Sequence, residues 1–128
     1  MNIYKRYKII KEKHKEIKLI SQCASDIKNL VTDIANIATT FIKIEEDRSN
    51  NKDSNESLDK RYNENMEDLN KAKIKAMNFG INKFGLYIRQ NRPEKVVLYI
   101  SNFCRKNINY LMKLQDKIIN KISKYLKE

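Results

Sequence analysis

Basic side chains recur at helical spacing in three parts of this sequence, a pattern that is typical of a surface contacting phosphate groups. One stripe lies near the start: Lys8, Lys11, Lys15 and Lys18. A second stripe lies near the end: Lys106, Lys113, Lys117, Lys121 and Lys124. A third group surrounds the single proline and includes arginines, which bind phosphate in a bidentate manner: Arg89, Arg92, Lys95 and Arg105. Steps of three, four and seven residues place the members of each lysine stripe on one face of a helix.

The formal net charge of +11 is unevenly distributed along the 128 residues. Residues 1–20 carry seven Lys/Arg and two Glu, residues 21–70 carry six basic and eleven acidic residues, and residues 71–128 carry fourteen basic and three acidic residues. Contacts from such regions to a nucleic-acid backbone give affinity and salt dependence without sequence readout.

Codon usage offers a second explanation for the lysines. Lys, Ile and Asn fill 55 of the 128 positions, a bias that A/T-rich codons produce, so we expect a low-GC prokaryote or a virus as the source. On this explanation the stripes are a solvated face without a ligand. Codon bias does not account for the clustering of acidic residues in the middle of the chain, and the sequence leaves both explanations open.

The sequence contains no residue pattern that supports catalysis or metal binding. His14 is the sole histidine, and its helical position predicts a half-buried structural side chain. Cys23 and Cys104 are not part of a C-x-x-C motif and make neither a disulfide framework nor a zinc site. Glycine-rich phosphate-binding motifs do not occur. The sequence therefore predicts no catalytic residue, no metal, no cofactor and no small-molecule substrate, so we expect a protein that is not an enzyme.

The elements that must position the basic side chains are helices. Apolar residues recur at steps of three and four, and no segment of useful length alternates with period two, so the sequence predicts an all-α fold. We expect one domain, residues 1–128, built as an antiparallel bundle of three long helices. The predicted helices and loop have these bounds: helices at about 3–47, 56–90 and 93–126, with a loop at 48–55.

A fourth helix is the alternative that the sequence leaves open. The first helix can bend near residues 21–23, and the second contains Gly80 and Gly85, each of which costs about 1 kcal/mol inside a helix. Pro93 marks the start of the last helix, because proline suits a first helical turn and disfavours helix in the residue before it.

An up-down-up bundle would bring residues 1–20, 71–92 and 93–106 to one end, which would then be strongly positive. The acidic residues around 45–59 would lie at the other end. On this topology we predict a single phosphate-binding surface: Lys8, Lys11, Lys15, Arg89, Arg92, Lys95, Arg105 and Lys106. Charge reversal at Arg89 and Arg105 is then expected to weaken binding equally for all nucleic-acid sequences.

We expect a cytoplasmic protein that does not contact membranes. The basic first residues are not followed by the apolar segment of a signal peptide. The longest uninterrupted apolar run, Val96–Ile100, is far too short to span a bilayer. Two cysteines in apolar helical stretches are typical of a reducing compartment.

The leading functional hypothesis is a non-catalytic helical protein that binds the backbone of RNA or single-stranded DNA as a small subunit of a larger assembly. In size, charge and helix content the chain is similar to the small, basic, all-helical subunits of CRISPR effector complexes, which line the nucleic-acid path. Tyr87 and Tyr99 are candidates for stacking on bases, against the alternative that they only pack on helix edges.

Two other classes of function stay open. One is a protein–protein interaction module, such as a phage-encoded inhibitor or an adaptor that docks on an acidic partner through Phe79, Phe84 and Tyr87. The other is a homo-oligomer, because a first helix of 45 residues would be about 68 Å long and longer than its neighbours. Binding that falls steeply with salt would favour the nucleic-acid hypothesis over an apolar interface.

Overall fold

The structure, a computed structural model, describes residues 2–127 and contains four helices. Their bounds are α1 (Ile3–Ser49), α2 (Asn55–Asn78), α3 (Gly85–Arg89) and α4 (Pro93–Lys127). Residues 2–127 contain no strand, so the predicted all-α class is confirmed, in its four-helix form. Within this part of the chain, no helix combines the length and the apolar character needed to cross a membrane.

The division of the predicted helix 56–90 has a local cause at Gly80. The N–H of Ile81 donates to the carbonyl of Ala76 at 3.1 Å, and the N–H of Gly80 donates to that of Met77 at 3.0 Å. These two bonds form a Schellman motif, which requires a left-handed residue, and Gly80 has φ +86°. Two other helix ends use the same motif, with asparagine in the left-handed position: Asn51 and Asn91.

The loop between α1 and α2 is therefore shorter than predicted. It comprises residues 50–54, because α1 continues to Ser49 and the turn at Asn51 closes it directly. Ser54 is the N-cap of α2, and its hydroxyl accepts the N–H of Ser57 at 3.2 Å. The Ser57 hydroxyl in turn donates to the Asp53 carboxylate at 2.8 Å, which fixes the start of α2.

The chain forms two compact units, which we describe separately. The two-helix unit comprises residues 1–28 and 106–128, of which 2–28 and 106–127 are described, and the central unit comprises residues 29–105. α1 and α4 contribute segments to both units, whereas α2 and α3 belong to the central unit. The assignment of residues 1–128 to one domain stays a prediction.

In the central unit, α1 and α2 run antiparallel. The Nζ of Lys75 lies 3.0 Å from Oδ2 of Asp33, and Nη1 of Arg61 lies 3.0 Å from Oδ2 of Asp47. Between these ion pairs the buried amide of Asn65 donates to a main-chain carbonyl of α1 at 2.9 Å. The core between the helices is apolar, and its largest fully buried side chains are Leu30, Ile44, Leu58, Leu69, Ile81, Val96, Ile100 and Cys104.

The two-helix unit has a much smaller core. Ala24 and Ile27 of α1 and Ile118 and Ile122 of α4 are its buried apolar side chains among the described residues. The Gln115 amide donates to the hydroxyl of a serine on α1 at 3.0 Å. Two helices cannot cover each other completely, so most other apolar residues along their contact are half-buried.

Candidate nucleic-acid interface

The excess positive charge of the chain belongs to the two-helix unit. Residues 1–28 and 106–128 contain fourteen Lys/Arg and five Asp/Glu, which gives a net charge of +9. The central unit contains thirteen Lys/Arg and eleven Asp/Glu, a net charge of +2. Charge counts over consecutive segments of the sequence do not show this division, because the two basic segments of the two-helix unit are separated by 77 residues in the chain.

On α1 the stripe lysines and the apolar side chains that pack against α4 occupy opposite faces. The side chains that face α4 are half-buried or buried: Ile10, Ile17, Ile20, Ala24 and Ile27. The stripe of Lys8, Lys11, Lys15 and Lys18 is exposed at every position. A helical rise of 1.5 Å per residue spreads this stripe over about 15 Å, which is the length of about four phosphates at the 3.4 Å spacing of one B-DNA strand.

α4 carries its lysines in the same manner. Ile118 and Ile122 are buried, whereas the lysines before, between and after them are exposed: Lys113, Lys117, Lys121 and Lys124. Lys106, the first basic residue of this segment, is also exposed. Both helices of the unit therefore present a lysine stripe on the side that faces away from the other helix.

The stripe lysines are not neutralised by carboxylates. The ion pair between Nζ of Lys13 and Oε2 of Glu16, at 3.5 Å, lies in the two-helix unit but does not involve a stripe lysine. The central unit pairs its charges much more extensively, through ion pairs that involve Asp33, Asp47, Asp53 and Asp59. The stripe lysines are thus free to contact an external anion.

The prediction that the last helix begins at the opposite end from the acidic residues around 45–59 is wrong. Pro93 and Glu94 line a cavity of about 740 Å³ together with Glu45 and Glu46, so α4 begins beside the acidic segment of α1. The cause is the helix end at Gly80: α2 stops early, and the chain returns through α3 before α4 starts.

The eight predicted site residues consequently fall into two sets. Lys8, Lys11, Lys15 and Lys106 belong to the two-helix unit, and the other four belong to the central unit: Arg89, Arg92, Lys95 and Arg105. All eight are exposed. The structure brings Arg89 and Arg92 to the turn before Pro93, but Arg105 lies twelve residues beyond Pro93, about 18 Å along α4. Phosphate contact by these residues stays a prediction.

The aromatic side chains that the sequence offered for partner docking or base stacking are buried or half-buried. Phe84 is buried and Phe79 and Tyr87 are half-buried, so the predicted apolar interface is largely taken up by the core. Tyr99 is half-buried as well. His14, predicted to be half-buried, is exposed. In the two-helix unit one helix, α4, packs against α1, and it covers a narrower part of the α1 surface than the two neighbours of a three-helix bundle would.

Tyr4 and Tyr7 of α1 and Tyr110 of α4 are exposed aromatic residues of the two-helix unit, although the sequence favoured Tyr87 and Tyr99 over them as stacking candidates. Their exposure follows from the small core of this unit, which no local sequence signal encodes. Tyrosines beside lysines are suited to stacking on unpaired bases.

Titratable groups with perturbed pKa values lie outside the lysine stripes. The hydrogen bond from Arg61 lowers the pKa of Asp47 below its usual value of 3.8, with Lys43 adding to the effect and burial opposing it. Burial raises the pKa of the Cys104 thiol. Residues 2–127 contain no group of three or more His, Cys, Asp or Glu side chains that could hold a metal ion.

Comparison with known proteins adds no further constraint. No family model matches the chain, and neither a curated protein nor a solved structure matches it. The functional assignment therefore depends on the geometry and charge of the two units.

Proposed function

We propose that this chain is a non-catalytic helical protein that binds the phosphate backbone of a nucleic acid, RNA or single-stranded DNA, as a small subunit of a larger assembly. The observation that supports the proposal best is the net charge of +9 on the two-helix unit, which contains fourteen basic and five acidic residues. Its stripe lysines are exposed and have no carboxylate partner among the described residues.

The chemistry of the stripes favours backbone contact over base readout. Lysine is a point charge on a flexible stem, and it recognises phosphate without the fork geometry that arginine offers to guanine. The two-helix unit contains one arginine, the half-buried Arg6, and thirteen lysines. Backbone contact of this kind gives similar affinity for all sequences.

RNA and single-stranded DNA are the proposed ligands because the exposed tyrosines can stack only on bases that are unpaired. Tyr4 and Tyr7 lie within the first two turns of α1, interleaved with Lys5 and Lys8. Stacking on an aromatic ring contributes about 1–3 kcal/mol per base and is tolerant of sequence. A duplex offers such rings no accessible base face, and we expect it to bind more weakly.

Fluorescence anisotropy with labelled single-stranded RNA, single-stranded DNA and duplex DNA tests the proposal, with each titrated at 50 and 200 mM salt. About eight phosphate contacts on a single strand, four from each stripe, predict an affinity loss on the order of a thousandfold between these conditions. No binding at 50 mM salt would remove the proposal and reduce the lysines to a solubilising face.

Matched charge reversals locate the contact surface. Lys11→Glu with Lys15→Glu changes the two-helix unit, and Arg89→Glu with Arg105→Glu makes the same change of charge in the central unit. All four side chains are exposed and make no ion pair among the described residues, so the fold is expected to tolerate both pairs. We expect the first pair to weaken binding more. A larger loss from the second pair would move the site to the turn around Pro93.

A further inference from the structure

An apolar groove runs between α1 and α4 within the central unit. It encloses about 490 Å³, and small side chains form part of its wall: Ala35, Ala38 and Ser101. Ile42 on α1 and Leu98 on α4 also line it and are 60% and 53% exposed. Large apolar side chains that stay this exposed around a groove are typical of a surface that binds another protein segment.

One end of this groove is acidic. The neighbouring cavity of about 740 Å³ shares Phe41, Ile42 and Glu94 with it and adds Glu45 and Glu46. The three glutamates are exposed, and none of them makes an ion pair among residues 2–127. Lys95 also lines the groove, so the two adjoining cavities carry three carboxylates and one ammonium group, a net charge of −2 that favours a cationic partner.

The start of α1 has the complementary character. Ile3, Tyr4 and Tyr7 are 80%, 74% and 63% exposed, and they alternate with Lys5 and Arg6. This segment, Ile3–Tyr7, is helical, and its three exposed apolar side chains lie beside the exposed Lys5 and the half-buried Arg6. It matches the requirements of a helix that inserts apolar anchors into a groove while its cations meet an acidic rim.

We propose that the segment Ile3–Tyr7 of one copy docks into the groove between α1 and α4 of a second copy. The contact uses two different surfaces of the same chain, so it is heterologous and leaves one free segment and one free groove at the two ends of each dimer. Such a contact extends into rings or filaments rather than stopping at two copies. The lysine stripes do not contribute to it, but Tyr4 and Tyr7 serve both this contact and the proposed base stacking, so the contact is tested in the absence of nucleic acid.

Sedimentation velocity without nucleic acid tests the proposal. A segment as short as Ile3–Tyr7 is expected to bury less than about 1,200 Å² in such a contact, an area that is typical of weak association. The protein is therefore studied up to several hundred micromolar at 50 mM salt. Two variants each remove one surface: Glu45→Lys with Glu46→Lys changes the groove, and Tyr4→Ser with Tyr7→Ser changes the segment. All four side chains are exposed, and circular dichroism checks that both variants retain the wild-type helix content.

The expected result is specific to a heterologous contact. Wild type forms species larger than a dimer as its concentration rises, each variant alone sediments as a monomer, and an equimolar mixture of the two variants forms a dimer and nothing larger. A matched control, Glu64→Lys with Glu67→Lys, makes the same charge change at exposed, unpaired glutamates on α2 and is expected to associate like wild type. A monomeric wild type, a mixture without dimer, or a control that is as defective as the groove variant would each overturn the proposal.

Discussion

Replacement of Gly80 by alanine tests the reason why α2 ends where it does. Gly80 has φ +86°, a left-handed conformation that L-residues adopt only with strain, and its N–H closes the Schellman motif onto Met77. A Cβ added at Gly80 would meet no atom within 4 Å, so steric overlap contributes nothing to the effect. The expected loss of stability is therefore conformational alone.

The magnitude follows from two opposing contributions. Left-handed backbone costs an L-residue about 1–2 kcal/mol. Alanine also restricts the unfolded chain more than glycine does, which stabilises the protein by about 0.4–1 kcal/mol. Gly80→Ala is thus expected to lower the free energy of unfolding by about 1 kcal/mol.

Gly85 provides the matched control. It begins α3 without a positive φ, and a Cβ there also meets nothing within 4 Å. Gly85→Ala keeps the gain of about 0.4–1 kcal/mol without the strain. Urea denaturation followed by circular dichroism at 222 nm measures both variants. Equal midpoints for Gly80→Ala and Gly85→Ala would show that the left-handed turn is not what ends α2.

Three further predictions concern single side chains. The pKa of Asp47 is lowered in the native state, chiefly by Arg61. Its carboxylate therefore stabilises the fold at pH values above its usual pKa of 3.8, and this stabilisation is lost as the pH falls through the native pKa. Asp47→Asn is expected to make stability less dependent on pH in the acid range, as measured by thermal melts from pH 6 to 2. Cys104 is buried with a raised pKa, whereas Cys23 is half-buried, so iodoacetamide at pH 8 should label Cys23 first in intact-mass spectra, and simultaneous labelling would contradict the described burial. Ser54→Ala removes the N-cap of α2 and is expected to cost about 1 kcal/mol in urea denaturation, with no change if the cap is dispensable.

The helices could be predicted from the sequence because their signals are local. Apolar periodicity and the proline at position 93 located α1 and α4 to within two residues at each end. The sequence predicted a break in the second helix only as an alternative, since a glycine can either kink or end a helix. Whether it ends the helix depends on the two Schellman bonds, from the N–H of Gly80 to Met77 and from the N–H of the buried Ile81 to Ala76, and the second depends on where Ile81 packs.

The grouping of the basic side chains could not be predicted in the same way. The lysine stripes follow from spacing within one helix, and the structure places them on exposed faces, as at Lys11 and Lys117. The association of residues 1–28 with residues 106–128 depends on where α4 starts, which the turn at Gly80 decides. Because the sequence analysis misjudged one turn, it grouped Arg89 and Arg92 with lysines that belong to a different unit.

The salt dependence of nucleic-acid binding tests the central claim most directly. If four exposed lysines from each stripe contact phosphates of a single strand, the slope of log K against log salt is about −5 to −6, at about −0.7 per contact. Neutralising one stripe with Lys113→Gln, Lys117→Gln, Lys121→Gln and Lys124→Gln is predicted to bring it to about −3. The matched control neutralises four exposed, unpaired lysines of the central unit and should keep the wild-type slope: Lys52, Lys60, Lys71 and Lys83. A slope that changes equally in both variants, or in neither, would contradict binding by the two-helix unit.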